Sequence, residues 1–139
     1  MKNLMKVVLA DADEGFRMML QRVIEAAGDF KVAGSTGNGA DAWRIIEREC
    51  PQLVIMDVLL PELDGFVLLN RLAAMAERPR AILVSAVCQG QVVKRAMAQG
   101  AEAFVAKPCG ANELLGQMRR VAQRGSGVCD TGGIGWCGA

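Results

Sequence analysis

At 139 residues the chain is long enough for one domain, and 52% apolar against 22% charged residues is the balance of a globular core rather than of a disordered chain. A formal net charge of +1 gives no basic surplus for general nucleic-acid binding, and no apolar run approaches the roughly 20 residues of a membrane span. There is no histidine, which removes Ser-His and Cys-His nucleophiles and His-ligated metals, so any chemistry must run on carboxylates, hydroxyls, lysine and backbone.

The chain passes from Met1-Lys2-Asn3 directly into an apolar run, without the h-region of a signal peptide, which sets the expectation of a cytoplasmic protein. That first strand is predicted over Lys6–Ala10 and ends in Asp11-Ala12-Asp13. Phe16, Met19, Leu20, Val23, Ile24 and Ala27 then recur at helical spacing, with Gly28 as the stop. A second strand over Phe30–Gly34 leads to a helix opened by Asn38-Gly39, carrying Trp43, Ile45 and Ile46, and closed before Pro51. The third strand, Leu53–Met56, is wholly apolar and ends in a single carboxylate, Asp57; Pro61 and the Asp64-Gly65 turn pair break the run into a loop. A third helix holds Phe66, Leu68, Leu69 and Leu72. The fourth strand, Ala81–Ser85, is followed by a helix with Val92, Val93, Ala96 and Met97 that stops at Gly100. The fifth strand, Ala103–Ala106, runs into Lys107-Pro108, and a fifth helix is predicted from Asn112 as N-cap through Leu114, Leu115, Met118 and Val121.

Five alternating βα units give an α/β fold with right-handed crossovers, a doubly wound parallel sheet. The near-continuous apolar third and fourth strands fit a sheet covered on both faces. The flavodoxin-like order 2-1-3-4-5 is predicted, with its switch point beside strands one and three. Residues 1–124 form the domain, and the Gly-rich residues 125–139 read as a flexible tail or linker remnant. The five cysteines are odd in number and form no C-x-x-C pair, which argues against a disulfide framework or zinc site. Cys50, Cys88 and Cys109 are expected as small buried or half-buried residues in a reducing compartment.

In such a sheet, Asp11, Asp57, Ser85 and Lys107 meet at the carboxyl ends of four strands, where open α/β sheets bind their ligands. Neighbouring acids repel unless a cation lies between them, and Mg²⁺ prefers oxygen ligands. A carboxylate held beside a hydroxyl and an ammonium suits phosphoryl transfer, in which catalysis is mainly positioning and charge neutralisation. Asp57 is then the nucleophile forming an acyl phosphate, Mg²⁺ and Lys107 neutralise phosphoryl oxygens, and Ser85 hydrogen-bonds one of them.

The segments V-V-L-A-D, V-I-M-D-V-L-L-P-E-L-D-G, L-V-S-A and A-F-V-A-K-P resemble the receiver domain of bacterial two-component response regulators, over about residues 5–123. Within that family Ser85-Ala86-x-x-Gln89, with Val92, Lys94, Ala96, Gly100-Ala101 and Phe104, is most similar to the sporulation-initiating regulator. The resemblance implies a CheY-like fold and a phosphorelay switch rather than a turnover enzyme. It implies Asp57 as phosphoacceptor, with Ser85, Ala86 and Lys107 around the phosphoryl group and a cis Lys107–Pro108 bond. It places Mg²⁺ on Asp11, Asp57 and the Leu59 backbone carbonyl. It also implies a switch through Ser85 and Phe104, read out on the helix 4–strand 5–helix 5 face. The implied partners are a histidine kinase or phosphotransferase donor and an effector or second copy, with no direct nucleic-acid or membrane contact.

The chain departs from the family where a second acid normally follows the first: Ala12 stands there. Asp13, two residues on, either faces the pocket beside Asp11 or caps the first helix. Weakened Mg²⁺ binding, with slower or donor-restricted phosphorylation, is the expected consequence. Glu62 and Asp64 are assigned to loop structure, Glu14 to the helix macrodipole and Arg17 to a surface pair with a nearby acid. Two rivals follow from the same residues. Asp11-Ala12-Asp13 resembles the D-x-D pair of haloacid-dehalogenase-type phosphatases, with Asp11 phosphorylated, although the downstream acidic pair and cap domain are missing. Ala12 also permits a degenerate receiver that binds partners without taking phosphate.

Overall fold

Alternating strands and helices fill residues 4–124, the part of the chain that the computed structural model describes. The order is β1 (Met5–Ala10), α1 (Glu14–Ala27), β2 (Phe30–Thr36), α2 (Gly39–Glu49), β3 (Leu53–Met56), α3 (Gly65–Ala73), β4 (Arg80–Ser85), α4 (Gly90–Ala98), β5 (Ala103–Ala106) and α5 (Ala111–Gln123). The strands pair in parallel in the order β2-β1-β3-β4-β5, as predicted, with Ala10 opposite Met56 and Leu83 opposite Phe104. The tail assigned to residues 125–139 lies outside the described residues.

Period-two alternation divides the strand side chains between two cores. Val8, Ala10, Val54, Met56, Ala81, Leu83 and Phe104 pack under α2, α3 and α4. Val7, Leu9, Leu53, Ile55, Ile82, Val84 and Val105 pack under α1 and α5. Burial on both faces explains why β3 and β4 are apolar without interruption.

The helix ends follow their sequence signals with one exception. Gly28 closes α1 in the left-handed region, and Asn38 caps α2 by accepting from the amides of Ala40 and Asp41. Asn112, expected to cap the fifth helix, lies inside α5; Gly110 is the N-cap, since the turn begins right after the Lys107-Pro108 corner. The Ser35-Thr36 pair reads as a loop but extends β2, where it pairs with Leu9 and Ala10. Met19 is 44% exposed rather than in the core, because Leu20 and Ile24 already fill the inward stripe of α1. Cys50 and Cys88 are exposed and Cys109 half-buried, which corrects the expectation of burial for the first two. Both sit at helix margins, Cys50 as the αL C-cap of α2, where no core reaches them.

Two glycines hold the loop after β3 close to the sheet. A Cβ on Gly65 would stand 2.5 Å from the Asp57 carbonyl oxygen, and one on Gly39 only 1.8 Å from that of Leu63. Gly39 also donates its amide to the Pro61 carbonyl at 3.0 Å. Backbone cannot retreat as a flexible side chain can, so Gly39→Ala is expected to lose at least the roughly 1–3 kcal/mol of ordinary overpacking. A fall in the urea midpoint at unchanged slope checks this; an unchanged midpoint contradicts it.

Candidate functional site

The site forms at the carboxyl ends of three parallel strands, of which β1 and β3 end level with each other and β5 runs two residues further. β1 ends before Asp11 and β3 before Asp57, and the Asp57 amide extends the ladder by donating to the Ala10 carbonyl at 3.0 Å. β5 ends before Lys107, whose amide bonds the Ser85 carbonyl at 2.9 Å. The Lys107 side chain returns over the sheet. Its Nζ donates to Asp11 Oδ2 at 2.7 Å and to Asp57 Oδ2 at 3.0 Å, reaching residues 96 and 50 positions before it in the chain.

Asp11 and Asp57 are only 5% and 9% exposed. Two buried carboxylates repel, and the ammonium between them makes their common burial affordable. Each acid is also tied to backbone: Asp11 Oδ1 accepts from the Asp13 amide at 2.9 Å and Asp57 Oδ1 from the Leu59 amide at 3.0 Å. Lys107 Nζ lies 4.8 Å from the Phe16 ring centre, a cation–π contact. Partial burial pulls the Lys107 pKa down, but the hydrogen bonds and charges of Asp11 and Asp57 outweigh this and hold it above the ordinary lysine value of 10.5.

The other predicted site residues fall in different places. Ser85 is fully buried at the end of β4, and its Oγ accepts from the Val87 amide at 3.1 Å, which shapes the following loop. Ala86, exposed, shares with Asp13, Phe16, Lys107, Pro108 and Cys109 an open cavity of about 360 Å³ beside the acids. Leu59 directs an exposed side chain outward while its amide faces Asp57. Phe104 is completely buried among the α2–α4 core residues, opposite Leu83. The Lys107–Pro108 bond is cis. A larger cavity, about 640 Å³, opens at the other end of the sheet between Met5, Cys50, Gln52 and Arg80, and holds none of the residues above.

Asp13 does not join Asp11 and Asp57. Its Oδ1 accepts from the Phe16 amide at 3.1 Å, so it is the N-cap of α1, and its exposed side chain serves the orphan amides of that helix. Asp64 caps α3 through the Val67 amide, and Glu62, at a φ of 70°, accepts from Asn38 Nδ2. Among the described residues Arg17 makes no pair with an acid. Its Nε donates to the Asp11 carbonyl at 2.7 Å and its Nη1 to Ser35 Oγ at 3.1 Å. This link and the Phe16 contact escaped sequence reasoning: a carbonyl carries no residue-type signal, and Phe16 fits the apolar stripe of its helix equally well.

Among the described residues no three acidic or thiol side chains gather as a metal cluster. Two neighbouring carboxylates nonetheless match the habit of Mg²⁺, which takes one or two carboxylates and retains waters. Asp11 and Asp57, whose oxygens meet at Lys107, therefore suit the cation. Ala12 is exposed beside Asp11, which leaves room for a longer side chain. Ala12→Asp is accordingly expected to tighten Mg²⁺ binding by about tenfold or more, since a unit charge about 4 Å from a cation is worth roughly 4 kcal/mol per cation charge near a protein surface before screening. Titration followed at the Leu59 amide by NMR measures it, and unchanged affinity would mean that Asp13 or water already supplies the ligand.

The family model of the response regulator receiver domain matches residues 7–119. Response regulator Rre1 of Synechocystis sp. is 30% identical over 128 residues, covering 91% of this chain and 55% of that protein, so the chain spans about half the length of this curated relative. The response regulator domain of Thermotoga maritima CheB superposes with a TM-score of 0.80 at 27% identity, covering 88% of this chain and 99% of that one. A DNA-binding response regulator of the LuxR family from Staphylococcus aureus superposes at 0.80 with 25% identity, covering 85% and 98%.

Proposed function

Because the chain belongs to the response regulator receiver domain family, we propose that it accepts a phosphoryl group on Asp57 and converts that charge into a change at a partner-binding face. Receiver domains are signalling switches that work with kinase donors and effector domains. The observation that carries the reading here is the Lys107 bridge between two buried carboxylates, one of them standing alone at the end of β3. In the transfer, the bond from phosphorus to the donor histidine nitrogen or acyl oxygen breaks as the bond to an Asp57 oxygen forms. Lys107 moves from bridging two carboxylates to facing a phosphoryl oxygen, and the Ser85 hydroxyl and Ala86 amide serve another. Asp11, Asp57 and the Leu59 carbonyl would hold Mg²⁺, which supplies charge neutralisation for the oxygens in flight.

A phosphoryl group adds about −1.5 to −2 of charge. Ser85 leaving its bond to the Val87 amide to meet that charge would free the β4–α4 loop, with Phe104 repacking behind it. The output face is then α4–β5–α5, for an effector or a second copy, in a cytoplasmic protein. Among the described residues no helix is long and apolar enough to cross a membrane. Kinship with the sporulation-initiation regulator rests on Ser85-Ala86-x-x-Gln89 and its neighbours alone, and the relatives named above do not add to it. The domain would comprise residues 1–124, with 125–139 as a tail.

Ala12 and the capping role of Asp13 favour a second reading, a receiver-like binding module that takes no phosphate. Intact mass after acetyl phosphate with Mg²⁺ decides between them. One phosphoryl adduct, absent when Mg²⁺ is chelated, is expected; a clean absence in both conditions leaves the binding module.

A further inference from the structure

Asp11 is the first residue beyond β1, and its carbonyl has no strand left to pair with. Its amide still bonds the Thr36 carbonyl at 3.0 Å, and its carboxylate is held at one oxygen by the Asp13 amide and at the other by Lys107. The remaining group, the carbonyl, is taken by Arg17 Nε from the first turn of α1 at 2.7 Å. Nη1 of the same guanidinium reaches Ser35 Oγ on β2 at 3.1 Å. Leaving such a carbonyl without a partner costs roughly 1–3 kcal/mol where water is excluded. A planar guanidinium can serve two acceptors on different elements at once, which the point charge of a lysine cannot do as well.

We propose that Arg17 is a positioning residue of this site: by tying the Asp11 carbonyl to Ser35 it fixes the turn after β1 and so aims the Asp11 carboxylate at Lys107 and the cation. The inference rests on the reading of Asp11 as a cation-holding acid given above. It matters more in this chain than in one with two adjacent acids. With Ala12 at the next position, Asp11 is the only carboxylate that β1 contributes, and no neighbour compensates for a turn that drifts. Gly37 borders the link, since a Cβ there would make ordinary contact, at 3.5 Å, with Arg17 Nη2, Ala12 Cα and the Asp11 carbonyl oxygen.

The test compares Arg17→Met, Arg17→Lys and Ser35→Ala with the wild-type chain by two measurements. The first is the Mg²⁺ Kd, read from the Leu59 amide by NMR. The second is hydrogen exchange of the Asp11 and Asp13 amides in metal-free protein. Partners that orient a metal ligand are typically worth 10–100-fold in affinity, so Arg17→Met is expected to weaken Mg²⁺ at least about tenfold. Exchange at Asp11 and Asp13 is expected to rise while amides of β4 and β5 stay protected. Arg17→Lys is expected to behave like Arg17→Met; wild-type behaviour in Arg17→Lys would mean that charge alone matters and overturns the proposal. Unchanged or tighter Mg²⁺ binding in Arg17→Met also overturns it. Should Arg17→Met unfold, Ser35→Ala decides, because it removes one anchor only: faster exchange at Asp11 and Asp13 supports the proposal and unchanged exchange defeats it. If the wild-type chain binds no Mg²⁺, the cation assignment fails, while the exchange measurement still decides the role of Arg17.

Discussion

Asp57→Asn is expected to abolish the phosphoryl adduct altogether, whereas Asp11→Asn keeps an adduct that forms more slowly. On the proposed reading Asp57 is the acceptor: it stands alone at the end of β3, one oxygen bonded by the Leu59 amide and the other by Lys107, with a side chain 12% exposed against 7% for Asp11. Amide nitrogen is no nucleophile toward phosphorus, so the substitution removes the chemistry while preserving shape. The Lys107 bridge to Asp11 remains, and the fold is retained. Asp11 is bonded in the same way, to the Asp13 amide and to Lys107, so the two variants rather than the hydrogen bonds separate the roles. Intact mass and fragment mapping after acetyl phosphate treatment measure both variants. An adduct that survives Asp57→Asn and disappears only in Asp11→Asn would transfer the acceptor role to Asp11, as in the D-x-D phosphatases.

Lys107→Met is expected to have the second largest effect, on rate and on stability together. The Nζ bridges the two carboxylates, and the lysine side chain is 19% exposed. Removing a preorganised donor to developing negative charge costs about 10²–10³ in rate where it has been measured in acyl transfer, and a similar loss in phosphorylation rate is expected. Removing one partner from a buried ion pair costs roughly 3–5 kcal/mol, because the uncompensated charge stays behind. In the wild-type protein the lysine's contribution depends on pH. Its folded pKa is raised, so its stabilisation is complete below about 10.5 and fades as pH climbs through the folded value. Urea midpoints across pH for both proteins measure this. A gap that does not depend on pH would mean that the bridge contributes packing alone.

The elements were legible because the apolar periodicities are unambiguous: β3 and β5 match their predicted bounds, and Gly28, Asn38 and Asp64 act as the punctuation their chemistry suggests. What failed did so where one residue type suits two environments. Ser35 and Thr36 extend a strand, although in isolation they resemble a loop, because Leu9 and Ala10 lie beside them with ladder groups to satisfy. Met19 fits the helical stripe by spacing, yet the inward arc of α1 is narrow and filled by its neighbours. Asn112 is a better cap by type than Gly110, but the chain turns after Pro108 and the helix starts too early to use it.

The sequence by itself determined the architecture and which residues carry charge at the strand ends, since alternation, helix caps and a lone acid after an apolar run are local properties. Only the tertiary structure decided how those charges are shared. Lys107 settles between Asp11 and Asp57, Asp13 turns to its own helix, and Arg17 finds a carbonyl instead of an acid. Each of these outcomes depends on which unsatisfied donor or acceptor lies within about 3 Å once the chain is packed: the Lys107 partners come from 96 and 50 positions away, while Asp13 and Arg17 find theirs 3 and 6 positions away.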